Sequence, residues 1–328
     1  EYDKPERISM GLLGAELSKD RSGFFRIDRI LEGAPYSEKL RSPLREPGMD
    51  IHEGDFITAV DGVSTKDCAN IYKLLTGKAD KLVELTVNTK AAAGGRKVVV
   101  KPTADEYPLY HYEWVQNNIR TVEKLSKGKV GYIYIPDMSQ EGLNEFVRYY
   151  YPQLDKEALI IDDRMNGGGN VSPMILERLQ RVVYRMTMRR GSDRNDPVPN
   201  EAFYGPKVCL IDKYSSSDGD LFPYGFRKLG LGKLIGKRSW GGIVGISGSK
   251  AYVDGQDMRT PFFTSYSLEG EWIIEGHGVD PDIEVDINPF EDFLGKDAQL
   301  DKAIEVLKEE LKNWKPLPGT PAAPDKSR

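Results

Sequence analysis

The 328 residues include 46 basic and 51 acidic side chains, and this net charge of −5 gives no positive excess for binding a nucleic acid. The mean hydropathy is −0.50, and no apolar run approaches the roughly 18 residues that span a bilayer. We therefore expect neither a nucleic acid nor a membrane as a partner. The length predicts about two domains.

The cysteines and histidines do not form a metal-binding pattern. Cys68 and Cys209 are two isolated thiols, which make neither a disulfide framework nor a metal site. His52, His111 and His277 lack the helical pairing that is typical of zinc ligands. We therefore expect no metal and no cofactor, and we expect both cysteines to be core residues.

Residues 8–103 are predicted to form a small β-rich unit. A Gly-Leu-Leu-Gly sequence at residues 11–14, here called the first glycine turn, leads into a strand. Residues 54–62 read Gly-Asp-Phe-Ile-Thr-Ala-Val-Asp-Gly, which favours a strand between two turns. The set resembles a PDZ domain in its circularly permuted, bacterial arrangement. This resemblance implies that peptide C-termini add as an extra strand, with their carboxylate held by N–H groups of the first glycine turn. The alternative is a unit that only spaces its neighbours.

The remainder of the chain is predicted to alternate between strands and helices. The order favours an α/β core (with α+β elements) around a mainly parallel sheet flanked by helices, preceded by the PDZ-like β-rich domain. We place the domains at residues 1–104 and 105–315, with a disordered Pro-rich tail at 316–328. The predicted segments are a linker at 105–112, helices at 113–126, 140–151, 174–184, 221–229 and 297–314, strands at 130–136, 158–162 and 208–211, a charged loop at 189–205, and β-hairpins at 251–275.

Two turns follow predicted strands and precede predicted helices. Residues 213–222 read Lys-Tyr-Ser-Ser-Ser-Asp-Gly-Asp-Leu-Phe, and such a small-residue turn presents a serine as a nucleophile. The same composition also occurs in ordinary loops. Residues 166–169, Asn-Gly-Gly-Gly, form the second glycine turn, which lacks the Lys-Ser/Thr ending of a phosphate-binding loop. As half of an oxyanion hole it would direct backbone N–H groups at developing negative charge.

Four motifs in this half occur in a recognisable order. They are Asp-x-Arg-x-Asn-Gly-Gly-Gly from Asp162, Tyr-Ser-x-Ser-Asp-Gly-Asp from Tyr214, Gly-Lys-Arg-Ser-Trp-Gly-Gly from Gly236, and Glu-x-x-Gly-Val-Asp-Pro-Asp from Glu275. In this order and spacing they resemble the tricorn peptidases, within the wider group of C-terminal-processing serine peptidases. With the PDZ-like unit, the resemblance covers nearly the whole chain.

The resemblance implies a role for each matching position. Ser217 would be the nucleophile, the N–H groups of Asp218 and Gly169 would form the oxyanion hole, and Glu275 would orient the base. Three glycines would bind the substrate, namely Gly168, Gly241 and Gly242. Without the resemblance, Glu275 would be interpreted as a surface carboxylate at the end of a strand.

The general base is the element that the sequence does not supply. C-terminal-processing peptidases use a lysine at the position that here is Gly242. Tricorn peptidases use a histidine, next to a serine, from a small domain before the PDZ unit, and this sequence contains no Ser-His pair. His277 and His111 are weaker alternatives. We therefore expect the base to lie outside this chain, which would be a fragment that cleaves peptides barely or not at all.

Two functions remain open on the sequence. The first is a serine endopeptidase or oligopeptidase that hydrolyses oligopeptides through an acyl-enzyme at Ser217. The alternative is a catalytically inactive peptide-binding or assembly module with a peptidase fold. The resemblance to tricorn also implies peptide substrates, a homo-oligomer of the full-length protein and a cytoplasmic location, with a periplasmic one as the alternative.

Overall fold

The computed structural model describes residues 8–34, 36–247 and 251–325. The predicted domain start at residues 1–7 and the last three residues of the predicted tail lie outside this described part. Contacts between Cα atoms divide the chain into two compact units, Glu1–Asn117 and Asn118–Arg328. Among the described residues, no helix combines the length and apolar character needed to cross a membrane.

The first unit is an antiparallel sheet, as the PDZ-like sequence pattern predicts. Its strands follow the order β1-β2-β3-β5-β6, and β4 pairs with β3. Apolar side chains that alternate along these strands form its core, among them Ile27, Ile57 and Leu85. The strands are β1 (Ala15–Lys19), β2 (Phe25–Ile30), β3 (Phe56–Val60), β4 (Val63–Ser64), β5 (Val83–Asn88) and β6 (Arg96–Val100), with 3-10 turns at Glu38–Leu40, Pro43–Arg45 and Ile71–Leu75.

The first long helix, α1, spans Tyr107–Ser126 and includes the division between the two units. The prediction of a linker over residues 105–112 is therefore wrong from Tyr107 onward. Asp105 accepts a hydrogen bond from the Tyr107 N–H at 2.9 Å and so caps the helix start. Pro108 is tolerated because the first turn of a helix needs no N–H donor at that position.

The second unit is built on a parallel sheet with the order β15-β12-β11-β8-β7. Strands β7, β8 and β11 are buried along their whole length, which explains their continuous apolar sequences. The α/β core expected from the sequence is thus confirmed. The elements of this unit are β7 (Val130–Tyr134), α2 (Gln140–Tyr150), β8 (Ala158–Asp162), α3 (Ser172–Leu179), β9 (Arg185–Met188), β10 (Asn195–Val198), β11 (Lys207–Ile211), α4 (Asp218–Lys228), β12 (Gly232–Gly236), β13 (Gly245–Ser247), β14 (Thr260–Phe263), β15 (Ile283–Glu284), α5 (Pro289–Phe293) and α6 (Ala298–Leu311).

Three predicted segments differ from the structure. The helix predicted over 174–184 ends at Leu179, because the β-branched Val182 and Val183 favour extended backbone over helix. The segment predicted as a loop over 189–205 contains β10, which pairs with β9. In the region predicted as hairpins, β14 pairs with β13, which precedes residue 251, and an isolated bridge joins Tyr266 to Trp272.

Sheet order brings the two chemically interesting turns of the second unit together. Strands β8 and β11 are hydrogen-bonded parallel neighbours, so their carboxyl ends lie at the same edge. The second glycine turn follows β8, and the serine turn follows β11. Open α/β sheets commonly bind ligands at this edge.

Candidate active site

Ser217 occupies a sharp turn between β11 and α4. Its backbone has φ +58° and ψ −119°, a conformation that residues other than glycine rarely adopt. Holding such a residue costs on the order of 1–3 kcal/mol, and such residues concentrate at functional sites. The Ser217 N–H donates a 2.8 Å hydrogen bond to Asp220 Oδ2, which fixes the turn at the start of the helix. The arrangement matches a nucleophile elbow.

The second glycine turn lies directly against Ser217. Gly168 has φ +88°, and a Cβ added there would come within 2.6 Å of the Ser217 Cβ atom. The Ser216 N–H donates to the Asn166 carbonyl at 2.9 Å and ties the two turns together. Only glycine fits at position 168, for reasons of both backbone angle and space.

The predicted oxyanion-hole donors lie at the same edge of the sheet. The Asp218 N–H belongs to the first residue of α4, where helix geometry leaves it without an intrahelical acceptor. Neither it nor the Gly169 N–H donates to a described residue, whereas the Gly168 N–H is bonded to Asn166 Oδ1 at 2.9 Å. The oxyanion roles of Asp218 and Gly169 stay a prediction that this arrangement favours.

Asp220 is a central residue of the site to which the sequence analysis gave no role. Its carboxylate is fully buried and accepts hydrogen bonds from the N–H groups of Ser217, Gly241 (2.8 Å) and Gly242 (3.3 Å). Burial raises the pKa of Asp220, while the hydrogen bonds from Ser239 and these N–H groups act to lower it. One carboxylate thus joins the serine turn to the Gly241–Gly242 segment.

A signal for Asp220 was present in the sequence. Acidic residues three positions after a serine at a helix start commonly reach back to that serine's N–H. The Ser217-x-x-Asp220 spacing fits this pattern, and the structure has the corresponding hydrogen bond. The bonds to Gly241 and Gly242 have no comparable local signal, because those residues lie 21 and 22 positions further along.

Glu275 holds the segment that follows these two glycines. Its Oε2 atom accepts hydrogen bonds from the N–H groups of Ile243 (2.7 Å) and Val244 (2.9 Å). The Gly276 N–H donates to the Gly241 carbonyl at 2.7 Å. Within the described residues no hydrogen bond joins Glu275 to Ser217. Its predicted role in orienting a base stays a prediction.

His277, the alternative base, is engaged elsewhere. Its Nε2 atom lies 2.8 Å from Asp280 Oδ2, and Arg238 donates to the other oxygen of that carboxylate at 2.7 Å. His277 and then Arg238 lower the pKa of Asp280. Among residues 118–247 and 251–325, no histidine or lysine side chain hydrogen-bonds to Ser217. Lys237 is paired with Glu284 at 2.6 Å.

Asp162, Asp163 and Arg164, which precede the second glycine turn, form an ion pair and a separate buried carboxyl. Asp162 and Arg164 are buried and form a 2.6 Å ion pair, and Arg164 also reaches Asp297 at 2.8 Å before α6. These residues fix the end of β8. Asp163 is fully buried, and its Oδ1 accepts from Asn166 Nδ2 at 2.9 Å, while its Oδ2 has no hydrogen-bond partner among the described residues.

The environment of Asp163 disfavours its ionised form. Burial is the main cause that raises the pKa of Asp163, followed by the negative charges of Asp162, Asp212 and Asp220. The Asp163 carboxyl, three residues before Asn166 of the second glycine turn, therefore keeps its proton to a higher pH than an exposed aspartate does. No cluster of three or more potential metal ligands occurs in the part of the chain that the structure describes. Cys209 is buried and Cys68 is partly exposed, and both are free thiols.

Comparisons with known proteins agree with this architecture. Residues 11–105 match the tricorn protease PDZ domain family, and residues 129–285 match peptidase family S41. The chain is 39% identical over 297 residues to Tricorn protease homolog 1 of Streptomyces coelicolor, covering 90% of this chain and 28% of that protein. It is 37% identical over 338 residues to Tricorn protease of Thermoplasma acidophilum, covering 98% of this chain and 31% of that protein.

A solved structure gives the same result in three dimensions. The crystal structure of the tricorn protease superposes with a TM-score of 0.84 at 35% identity, covering 93% of this chain and 29% of that chain. The chain thus spans about a third of the length of these relatives. With its tricorn-type PDZ domain followed by an S41 peptidase domain, the chain belongs to the tricorn group of serine peptidases.

Proposed function

We propose that this chain is the catalytic part of a serine peptidase that hydrolyses oligopeptides through an acyl-enzyme at Ser217. The observation that carries the proposal is the strained Ser217 turn at the start of α4, with Gly168 pressed against it. A pure peptide-binding or assembly module has no need of a serine in this conformation. The alternative of an inactive module is therefore not favoured.

The chemistry follows from the groups around Ser217. Its Oγ attacks the scissile carbonyl carbon as a base removes the hydroxyl proton, and the N–H groups of Asp218 and Gly169 stabilise the resulting oxyanion. The C–N bond breaks, the base returns the proton to the leaving amine, and an ester to Ser217 remains. Water, deprotonated by the same base, then hydrolyses that ester and restores the serine.

We propose that the base is a histidine from a segment preceding the PDZ domain, as the resemblance to tricorn peptidases implies. Two observations support this: His277 is bonded to Asp280, and no lysine or histidine side chain in the described part of the second unit bonds to Ser217. Positioned proton transfer contributes about 10²–10⁴-fold to the rate. The 328-residue chain alone should therefore turn over peptides very slowly.

The remaining expectations concern the whole protein. By resemblance to tricorn peptidases, which assemble into rings, we propose that the full-length protein forms a homo-oligomer and acts on peptides in the cytoplasm. Measuring the mass of the purified full-length protein by light scattering tests the assembly. A monomer at micromolar concentration would contradict it.

The function is tested with a fluorophosphonate probe, which reacts with activated serines. The probe is applied to the 328-residue chain and to an extended protein that adds the upstream sequence its gene encodes. Ser217→Ala serves as the negative control, and Ser216→Ala is the matched control at the neighbouring hydroxyl. We expect labelling of the extended protein at Ser217 and at least about 100-fold slower labelling of the chain alone.

The other outcomes separate the proposals. Equally fast labelling of the chain alone at Ser217 would contradict an external base and would return His277 to consideration. Absence of labelling in both forms, with both folded, would contradict the peptidase itself and favour the inactive module. Labelling that persists in Ser217→Ala would exclude Ser217 as the nucleophile.

A further inference from the structure

The first glycine turn, at residues 11–14, already has acceptors for several of its N–H groups. The Gly11 N–H donates to the Leu75 carbonyl at 2.9 Å, and the Leu12 N–H donates to the Thr103 carbonyl at 2.8 Å. The Gly14 N–H donates to Glu106 Oε1 at 2.6 Å. The last of these acceptors is a carboxylate, the group that such a turn is expected to recognise at the end of a peptide.

The Glu106 side chain lies at the junction of the turn and β1. Its carboxylate accepts a hydrogen bond from the N–H group of Gly14, the last residue of the turn, which directly precedes β1. Leu109 is buried and lies against the turn, since a Cβ on Gly14 would be 3.3 Å from its Cδ1 atom.

Side chains at the start of α1 contact the first two strands of the sheet. The Tyr110 hydroxyl lies 3.5 Å from Glu16 of β1, and Glu113 pairs with Arg29 of β2 at 2.5 Å. Tyr110 and Glu113 are three residues apart and so are neighbours on one face of α1, and Glu106 directly precedes that helix. Strand β1 is the terminal strand in the order of the described sheet, where an added peptide strand would pair. The chain's own segment therefore lies where a bound peptide is expected.

We propose that Glu106 is the resident ligand of the first glycine turn, and that the turn binds the C-terminal carboxylate of another peptide only after Glu106 has left it. The site thus recognises a peptide carboxylate with an apolar neighbour, which are the two features that Glu106 and Leu109 supply. Thr103 is paired with Leu12 of the turn, so Glu106 lies only three residues from a fixed point beside it. An internal ligand on such a short connection has an effective concentration in the millimolar range. A free peptide must compete with that concentration.

The test measures peptide binding by the complete 328-residue chain. The probe is a fluorescein-labelled hexapeptide that ends in leucine with a free carboxylate, and its twin carries a C-terminal amide. Fluorescence anisotropy gives Kd for the wild type, for Glu106→Ala and for Glu38→Ala, which removes an exposed acid from the same unit. We expect Glu106→Ala to bind the carboxylate peptide at least about 10-fold more tightly than the other two proteins, and to discriminate against the amide.

A second variant covers the case in which Glu106→Ala does not fold, as judged by circular dichroism. Glu106→Gln keeps a carbonyl acceptor but removes the charge, so its Kd should lie between those of the wild type and of an emptied turn. The proposal is overturned if the folded variants bind the carboxylate peptide no better than the wild type. It is also overturned if they bind the amide twin equally well, because the carboxylate would then not be recognised.

Discussion

The chain contains two glycine turns, and their backbone N–H groups have different surroundings. The first glycine turn receives the carboxylate of Glu106, which accepts from Gly14. The second lies against the Ser217 side chain, and its Gly169 N–H donates to no described residue. The first glycine turn thus binds a carboxylate of its own chain, whereas the Gly169 N–H of the second has no acceptor among the described residues. Glycine supplies the backbone freedom, but the neighbouring segment decides which turn can act on a ligand.

The largest effect is expected from adding a side chain at Gly168 of the second glycine turn. Gly168→Ala places a methyl group about 2.6 Å from the Ser217 Cβ atom, at a backbone angle that alanine rarely adopts. Misplacing reacting groups by about 1 Å can cost on the order of 100-fold, so fluorophosphonate labelling of the extended protein should slow by at least that factor.

The matched control for this change is the adjacent glycine. A Cβ on Gly167 would meet no atom within 4 Å, and its φ lies outside the left-handed range. Gly167→Ala should therefore label within a few-fold of the wild-type rate. Equal rates for both variants would mean that the second glycine turn is not pressed against the nucleophile, and the comparison would fail.

A smaller effect is expected from Asp220, whose carboxylate joins the serine turn to the Gly241–Gly242 segment. Asp220→Asn removes the charge that accepts from Ser217, Gly241 and Gly242, and places an amide NH2 group beside backbone donors. We expect labelling to slow by about 10-fold or more, because hydrogen bonds to charged groups contribute about 1.5–3 kcal/mol each. The extended protein is again the form to measure.

The melting temperature distinguishes positioning from simple destabilisation. The exposed Asp193→Asn is the control that removes one carboxylate without touching the site. Labelling of Asp220→Asn is measured well below its melting temperature, where the protein is fully folded. Wild-type labelling under those conditions would show that Asp220 contributes only to stability.

The smallest effect concerns Asp163, whose folded-state pKa lies well above its ordinary value of 3.8. As pH rises above the ordinary pKa of 3.8, the unfolded chain loses this proton while the folded chain still holds it. The group therefore lowers the free energy of unfolding progressively, until the pH passes its pKa in the folded chain. Asp163→Asn removes this loss. We expect its unfolding free energy, relative to wild type, to increase by at least about 1 kcal/mol between pH 4 and pH 8.

Urea unfolding at pH 4, 6 and 8 measures this difference. Asp193→Asn again supplies the control, because it removes one exposed carboxylate outside the site. A constant difference between Asp163→Asn and wild type would mean that Asp163 is ionised in the folded state. The second glycine turn would then rest on a charge and not on a neutral carboxyl.

Strands and turns that depend on neighbouring residues were predicted correctly from the sequence. The apolar runs of β8 and β11 predicted buried strands, and the turn after β11 indicated that one of its serines could be a nucleophile. The choice of Ser217 among them came from the resemblance to the tricorn peptidases. The helix predicted past Leu179 and the linker predicted from Tyr107 onward were wrong. In both places a few residues of weak local preference were decided by pairing or capping partners.

What the sequence by itself determined is the inventory: a PDZ-like unit, an α/β unit, a serine in a helix-start turn and glycines to surround it. Tertiary structure alone decided the partnerships. Asp220 reaches Gly241 across 21 residues, and Glu106 reaches Gly14 across 92. These contacts depend on chain closure that no local pattern encodes, since a carboxylate bonds whichever N–H groups the packed elements bring within about 3 Å.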